Sequence, residues 1–445
     1  MELKDLIVTP FFLILIYFVA FRYKRTIEDE EQKKFFIPAI TFKIIGAIFL
    51  GLIYQFYYKG GDTFTFYKLG SQHIYNALFE DPVKAVKLLL SDSTNKIELY
   101  PYSSKIFYFS DSASFLIVKI AAIAGFLCFH TYSVIAIAFG LFSFSGSWVM
   151  YLAFCRIFPS LKRNSAYAIF FLPSVFFWGS GLLKDSITFG ALGWMFYCFT
   201  NLAIFNRKIL LSSLIFIISL FLIKTIKIYI LLCFIPSLII WLFFHFNYKV
   251  KSRIIKIVAK PILIVSAMVL AYIAANYISI DDKRYSLDNL TSTTKITYDY
   301  LTYMSKQQDG AYYSLGEFDN SWSGILAKAP LAINVTLFRP YLWESRNLVM
   351  LISALESFMI LAFTIITLWK AGVVTSIRII LNNPFLIFCT ILSISFAFAV
   401  GISTANFGTL VRYKIPIMPF YLLLLIVVNN IHKERKITNK SISTE

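Results

Sequence analysis

Apolar runs close to the length of a bilayer crossing recur from one end of this chain to the other, separated by polar connections. About 20 residues of helix cross the hydrocarbon. Runs of that order fall at 6–22, 36–57, 132–154, 164–180, 186–205, 209–223, 228–246, 260–279, 347–369, 384–403 and 413–431. The pattern predicts an all-α fold, a polytopic transmembrane helical bundle of about 11 spans. A membrane barrel would instead alternate residue by residue over about 10 positions, and that alternation is absent. Residues 1–445 read as a single integral membrane domain with no internal repeat. Two polar segments are long, 58–112 and 280–346, and the pattern gives the first of them interfacial helices. Apolar residues recur near helical spacing over Gly70 to Leu90 (Ile74, Leu78, Phe79, Val83, Val86, Leu90), as in a helix lying along the bilayer surface.

One further apolar stretch, Ala113 to Phe129, is expected to be a re-entrant or interfacial segment, and it decides the sidedness. If it is re-entrant or interfacial, the basic connections near Phe21–Lys34, Pro159–Asn164, Asn206–Lys208, Asn247–Lys256, Lys370–Arg378 and His432–Lys436 share one side. That side is then the cytoplasm. The amino terminus and both long polar segments lie outside, and the localisation expected is a cell inner membrane with an extracytoplasmic working face.

Composition agrees with this reading. The chain is 58% hydrophobic with a mean hydropathy of +0.71, against roughly 45–50% apolar residues in soluble domains. The net charge of +18 is carried largely by short connections, so orientation and anionic headgroups account for it and nucleic acid is not expected as a partner. The five cysteines lie in apolar surroundings without CxxC spacing and the four histidines are scattered, so neither a disulfide framework nor a zinc site is expected. The first apolar run lacks a basic leader and a small-residue cleavage site, and reads as a retained helix.

Charged residues inside such a pattern carry the candidate chemistry. Lys184 and Asp185 interrupt an otherwise apolar stretch from Phe170 to Phe199. A charge within the hydrocarbon costs roughly 3 kcal/mol or more, which places the pair at an interface or a wet cavity. Lys184 is a candidate anion contact, and its commoner role is a snorkelling anchor, with Asp185 capping the next helix. Lys224 and Lys227 mark a similar bend. In the first long segment, Gly60 and Gly61 free the backbone for a sharp exit and Asp62 follows, either capping a helix or acting as a general base for a hydroxyl. Further on, Arg339, Glu344 and Arg346 sit among Phe338, Tyr341 and Trp343. Arginine forks grip phosphate or carboxylate, and the aromatics form either a ligand platform or an interfacial belt. In the last turn Asn406 and Gly408 precede Arg412 and Lys414, ahead of Pro416 and Pro419. No P-loop, dinucleotide fingerprint, HExxH, GxSxG or kinase motif is present.

Taken together, these stretches resemble the membrane glycosyltransferases of the GT-C class. The similarity lies in Asp62 followed by Tyr67 in GGDTFTFY, Asp185 after a Pro-containing span in LPSVFFWGSGLLKDS, and Arg412, Tyr413 and Pro416 in RYKIP. It covers the chain loosely, through short motifs. A second span precedes the acidic segment where many members have one, and an Asp-Glu pair is missing. The resemblance implies transfer of a sugar from a polyprenyl-phosphate donor to an acceptor hydroxyl on a glycan, lipid or protein, in cell-envelope polysaccharide or glycoconjugate synthesis. Asp62 would be catalytic; Tyr67, Lys184, Asp185, Arg339, Trp343, Arg346 and Arg412 would bind substrate. No cofactor is certain under it, and a divalent cation stays open. The chain is also similar to O-antigen and exopolysaccharide polymerases. A flippase or transporter for lipid-linked sugars is the alternative from another class.

Overall fold

The computed structural model describes residues 2–93, 97–249, 289–307 and 311–442, together with Val265, Val269, Tyr272, Ile273 and Asn276. The chain forms two compact units, Met1–Lys227 and Ile228–Glu445. Among the described residues the regular structure is all helical, apart from an isolated bridge between Tyr312 and Asn406. Seven helices are long and apolar enough to cross a bilayer, or eight if the bent pair Phe407–Tyr413 and Met418–Thr438 counts as one span. This is a helical membrane protein: the helix pairs most backbone groups internally, as a chain in lipid requires.

The first unit opens with α1 (Leu3–Arg25) and α2 (Glu30–Leu52), the latter running on as a π turn over Ile53–Tyr57. Short helices follow: α3 (Asp62–Phe66), α4 (Gln72–Glu80), α5 (Pro82–Leu90) and α6 (Tyr100–Ser103). Next come α7 (Ser112–Leu127), α8 (Tyr132–Ile157), α9 (Lys162–Phe170), α10 (Pro173–Trp178) and α11 (Lys184–Phe199). α12 (Ile209–Lys249) bridges the boundary between the units. Side-chain caps set several starts: Asp29, Asp81 and Asp111 accept from backbone N–H groups at the heads of α2, α5 and α7. The core is the packing of α8 on α11 and α2. There the α8 and α11 backbones touch, because a Cβ on Gly146 would lie 1.9 Å from the Gly190 carbonyl oxygen. Small residues permit such crossings in membranes.

The second unit contains α13 (Leu290–Gln307), α14 (Trp322–Ala327), α15 (Ala329–Phe338), α16 (Leu348–Ala371), α17 (Val373–Leu381), α18 (Pro384–Ser403), α19 (Phe407–Tyr413) and α20 (Met418–Ile442). α15 packs on α18, where the Thr336 hydroxyl donates to the Ala397 carbonyl at 2.7 Å. α19 and α20 meet at 65° across the prolines, which cannot continue the helical ladder.

One apolar run differs from the hydropathy pattern, and two others match its expectations. The run 164–180 is not one helix but α9 and α10, because Pro173 starts a new helix and leaves Phe171 and Leu172 outside both. The runs 209–223 and 228–246 correspond to the two helical stretches of α12, which meet at a kink at Lys227 (φ −148, ψ 75), within the expected bend. In the ambiguous stretch, the 16 residues of α7 reach about 24 Å at 1.5 Å per residue, less than the roughly 30 Å of a hydrocarbon core. The run at 260–279 lies outside the described residues, save the isolated positions named above.

Candidate functional site

In the first unit the Gly60–Gly61 step is built for a reversal. Lys59, Gly60 and Gly61 all have positive φ (55, 146 and 112), and the Gly60 N–H donates to the Tyr54 carbonyl at 2.9 Å. A Cβ on Gly61 would meet the Tyr54 ring at 2.8 Å, so the chain can fold back over that ring only as glycine. Gly61 occupies the cap position of α3, and Asp62 is the first residue of the helix, half-buried. The segment behind it is clamped. Thr63 shares a 2.8 Å hydrogen bond with the Tyr132 hydroxyl, and Phe64 stacks on the Tyr132 ring at 4.6 Å. Tyr67 is buried; its hydroxyl donates to the His130 carbonyl at 2.7 Å and its ring stacks on the imidazole at 4.5 Å. Burial pushes the Tyr67 phenol above its ordinary pKa and lowers that of His130 to about 4, helped by the charge on Lys4. Tyr67 therefore fastens the α3 segment to the α7–α8 turn.

The Trp178–Asp185 turn is at the same end of α2. Tyr54 sits 6.4 Å from Trp178 between ring centroids, and a Cβ on Gly181 would be 2.7 Å from the Leu50 side chain. One helix end thus touches both stretches singled out by the sequence. At the turn, Lys184 reaches Asp111 at 3.2 Å, while Asp185 pairs with Lys227 inside the unit. Burial raises the Asp111 carboxyl, but the Ser114 hydroxyl and Lys184 outweigh it, leaving the group below its ordinary value. The two adjacent charges have different roles: Lys184 is about a quarter exposed, and Asp185 is buried.

In the second unit Arg339 is surrounded. Its guanidinium makes a two-point pair with Glu344, one contact being 3.0 Å from Nε, and lies 5.2 Å from the centre of the Phe407 ring and 5.7 Å from those of Tyr313 and Tyr341. Its carbonyl accepts from the Ser357 hydroxyl at 3.1 Å and from Lys414 at 3.3 Å. Lys414 is buried, bonds Ser357 at 2.9 Å and lies within electrostatic reach of Glu356. The fork expected to hold a phosphate thus holds a carboxylate. Trp343, 81% exposed, stacks on Tyr341 at 4.8 Å; Arg346 is exposed and Arg412 half-buried on α19.

The sequence reading missed Lys43, Asp111, His130 and Tyr313. Lys43 carried a signal, being a lone cation inside an apolar run. His130 and Tyr313 act through partners distant in sequence and carried none, while Asp111 caps α7 through Ser114 and reaches Lys184 from a distance. Comparison with family models, with curated proteins and with solved structures returned no match.

Proposed function

We propose that this protein is a membrane glycosyltransferase of GT-C type, moving a sugar from a polyprenyl-phosphate donor to an acceptor hydroxyl at the extracytoplasmic face of an inner membrane. The observation that carries this reading is Asp62: a half-buried carboxylate opening α3, on a segment clamped by Tyr132 and Tyr67. A carboxylate so held suits a general base. Asp62 takes the acceptor hydroxyl's proton, the acceptor oxygen bonds to the anomeric carbon, and the bond from that carbon to the phosphate breaks, with inversion of configuration. Lys184, in the same unit as Asp62, is the proposed contact for the departing phosphate. Tyr67 acts in this reading by fixing the segment that carries Asp62.

The test is Asp62→Asn in proteoliposomes supplied with a radiolabelled polyprenyl-phosphate sugar and a hydroxyl acceptor. Transfer should drop by a factor on the order of 100 or more, the usual contribution of a general base. Undiminished transfer rules out Asp62 as the base. A product ladder instead of one added sugar would make the protein a polymerase. A flippase is the second reading, favoured by the charge pair at the break in α12, since transporters bind at interrupted helices. Movement of intact lipid-linked sugar between leaflets without transfer would establish it.

A further inference from the structure

Lys43 lies at the middle of the 28-residue apolar helix Glu30–Tyr57 and is 1% exposed. Its ammonium donates three hydrogen bonds of 2.9 Å, to the Ser143 hydroxyl and to the carbonyls of Val175 and Gly179. An ammonium has three donors, so the acceptors match them one for one. The Phe189 ring lies 5.0 Å away and adds a cation–π contact. All of these groups belong to the first unit.

The two carbonyls explain why a cation is there. α10 ends at Trp178, so Val175 is among its last four carbonyls, which have no partner within the helix, and Gly179 lies just beyond. These groups form the negative end of the helix and sit in apolar surroundings, where an unmet carbonyl is costly. Glycines let the segments close around the cation: a Cβ on Gly46 would be 2.1 Å from the Phe176 carbonyl oxygen, and one on Gly140 would be 2.7 Å from that of Ser180. Lys184 and Asp185 follow five and six residues after Gly179.

We infer that Lys43 is a positioning residue, a built-in cation that caps the interrupted helix α10 within the membrane and so fixes the Trp178–Asp185 turn. Hydrogen–deuterium exchange of the purified full-length protein in nanodiscs tests this, whether or not the protein transfers sugar. In Lys43→Met, which keeps the length and removes the charge, exchange of amides 176–186 should rise about tenfold or more, the scale of a lost hydrogen bond to a charged group. Amides of α8 should keep their wild-type rates. Lys43→Arg, which retains a cation, should restore slow exchange at 176–186. Ser143→Ala should give a smaller rise, and it decides the question if the methionine variant cannot be recovered folded. Wild-type protection of 176–186 in Lys43→Met, equal loss in the Met and Arg variants, an equal rise throughout α8, or unchanged exchange in Ser143→Ala would each overturn the inference.

Discussion

Asp185 and Lys227 form a buried ion pair across 42 residues of chain, with side chains 3% and 7% exposed, where α12 leaves helical geometry. The pair anchors the head of α11 to the break in α12. Removing one partner of a buried pair strands a charge, at about 3–5 kcal/mol, whereas replacing both with apolar residues is often nearly neutral. Asp185→Leu and Lys227→Met should therefore each lower the thermal midpoint strongly, and the double variant should recover most of the loss. Midpoints in detergent check this. A double variant as unstable as the sum of the singles would mean that the two charges are not coupled and that each acts through other contacts.

The locations of most spans were legible in the sequence because hydropathy sums report them directly; the ends read at 132, 384 and 403 coincide with those of α8 and α18. The division of 164–180 was not, because the sum over that run stays apolar while Pro173 restarts the helix. The partners of the flagged charges were also hidden. Lys184 and Asp185 are neighbours on the chain, yet they reach Asp111 and Lys227, 73 and 42 residues away. Composition marks a charge as costly in lipid and does not say which distant group neutralises it. Arg339 shows the same limit, since an arginine among aromatics reads alike whether its fork awaits a ligand or already grips Glu344.

The Arg339–Glu344 pair should behave as a coupled unit. Both side chains are less than a fifth exposed, and Glu344 also accepts from the Tyr341 N–H at 2.8 Å. In a double-mutant cycle with Arg339→Ala and Glu344→Ala, the coupling should be about 1–3 kcal/mol. Arg339→Lys should recover only part of it, because a lysine cannot reproduce the two-point fork. Quenching of Trp343 fluorescence would read the local consequence: the turn that carries Trp343 should become more accessible in each single variant. A coupling near zero would show that the pair does not hold the turn.

The glycine crossing of α8 and α11 should tolerate no side chain. A Cβ on Gly193 would lie 2.1 Å from the Gly146 carbonyl oxygen, a distance that only separation of the two backbones can relieve. Gly146→Ala and Gly193→Ala should each cost about 1–3 kcal/mol through overpacking, and Gly146→Leu should prevent recovery of folded protein. Gly60→Ala meets no atom within 4 Å and is strained only by its positive φ, so its effect should be smaller. The ranking is read from thermal midpoints, and equal losses at Gly60 and Gly146 would contradict close backbone contact as the cause.

The turn between α7 and α8 should confer an acid limit on stability. His130 is fully buried, with Nε2 3.0 Å from the Ser71 hydroxyl, and Nδ1 has no hydrogen-bond partner. Burial, with Lys4 nearby, lowers its pKa to about 4, against roughly 6.5 in an unfolded chain. Between those values the unfolded chain binds a proton that the folded protein refuses, so stability rises with pH in that window. It is fully present above about pH 6.5, is lost as pH falls toward 4, and levels off below. His130→Gln keeps a neutral polar side chain and removes the titration. The wild-type thermal midpoint should therefore fall more steeply than that of His130→Gln between pH 6.5 and 4, and the two should run parallel from pH 7 to 9. Parallel curves through the acid range would show that His130 accepts its proton in the folded protein as readily as in the unfolded chain.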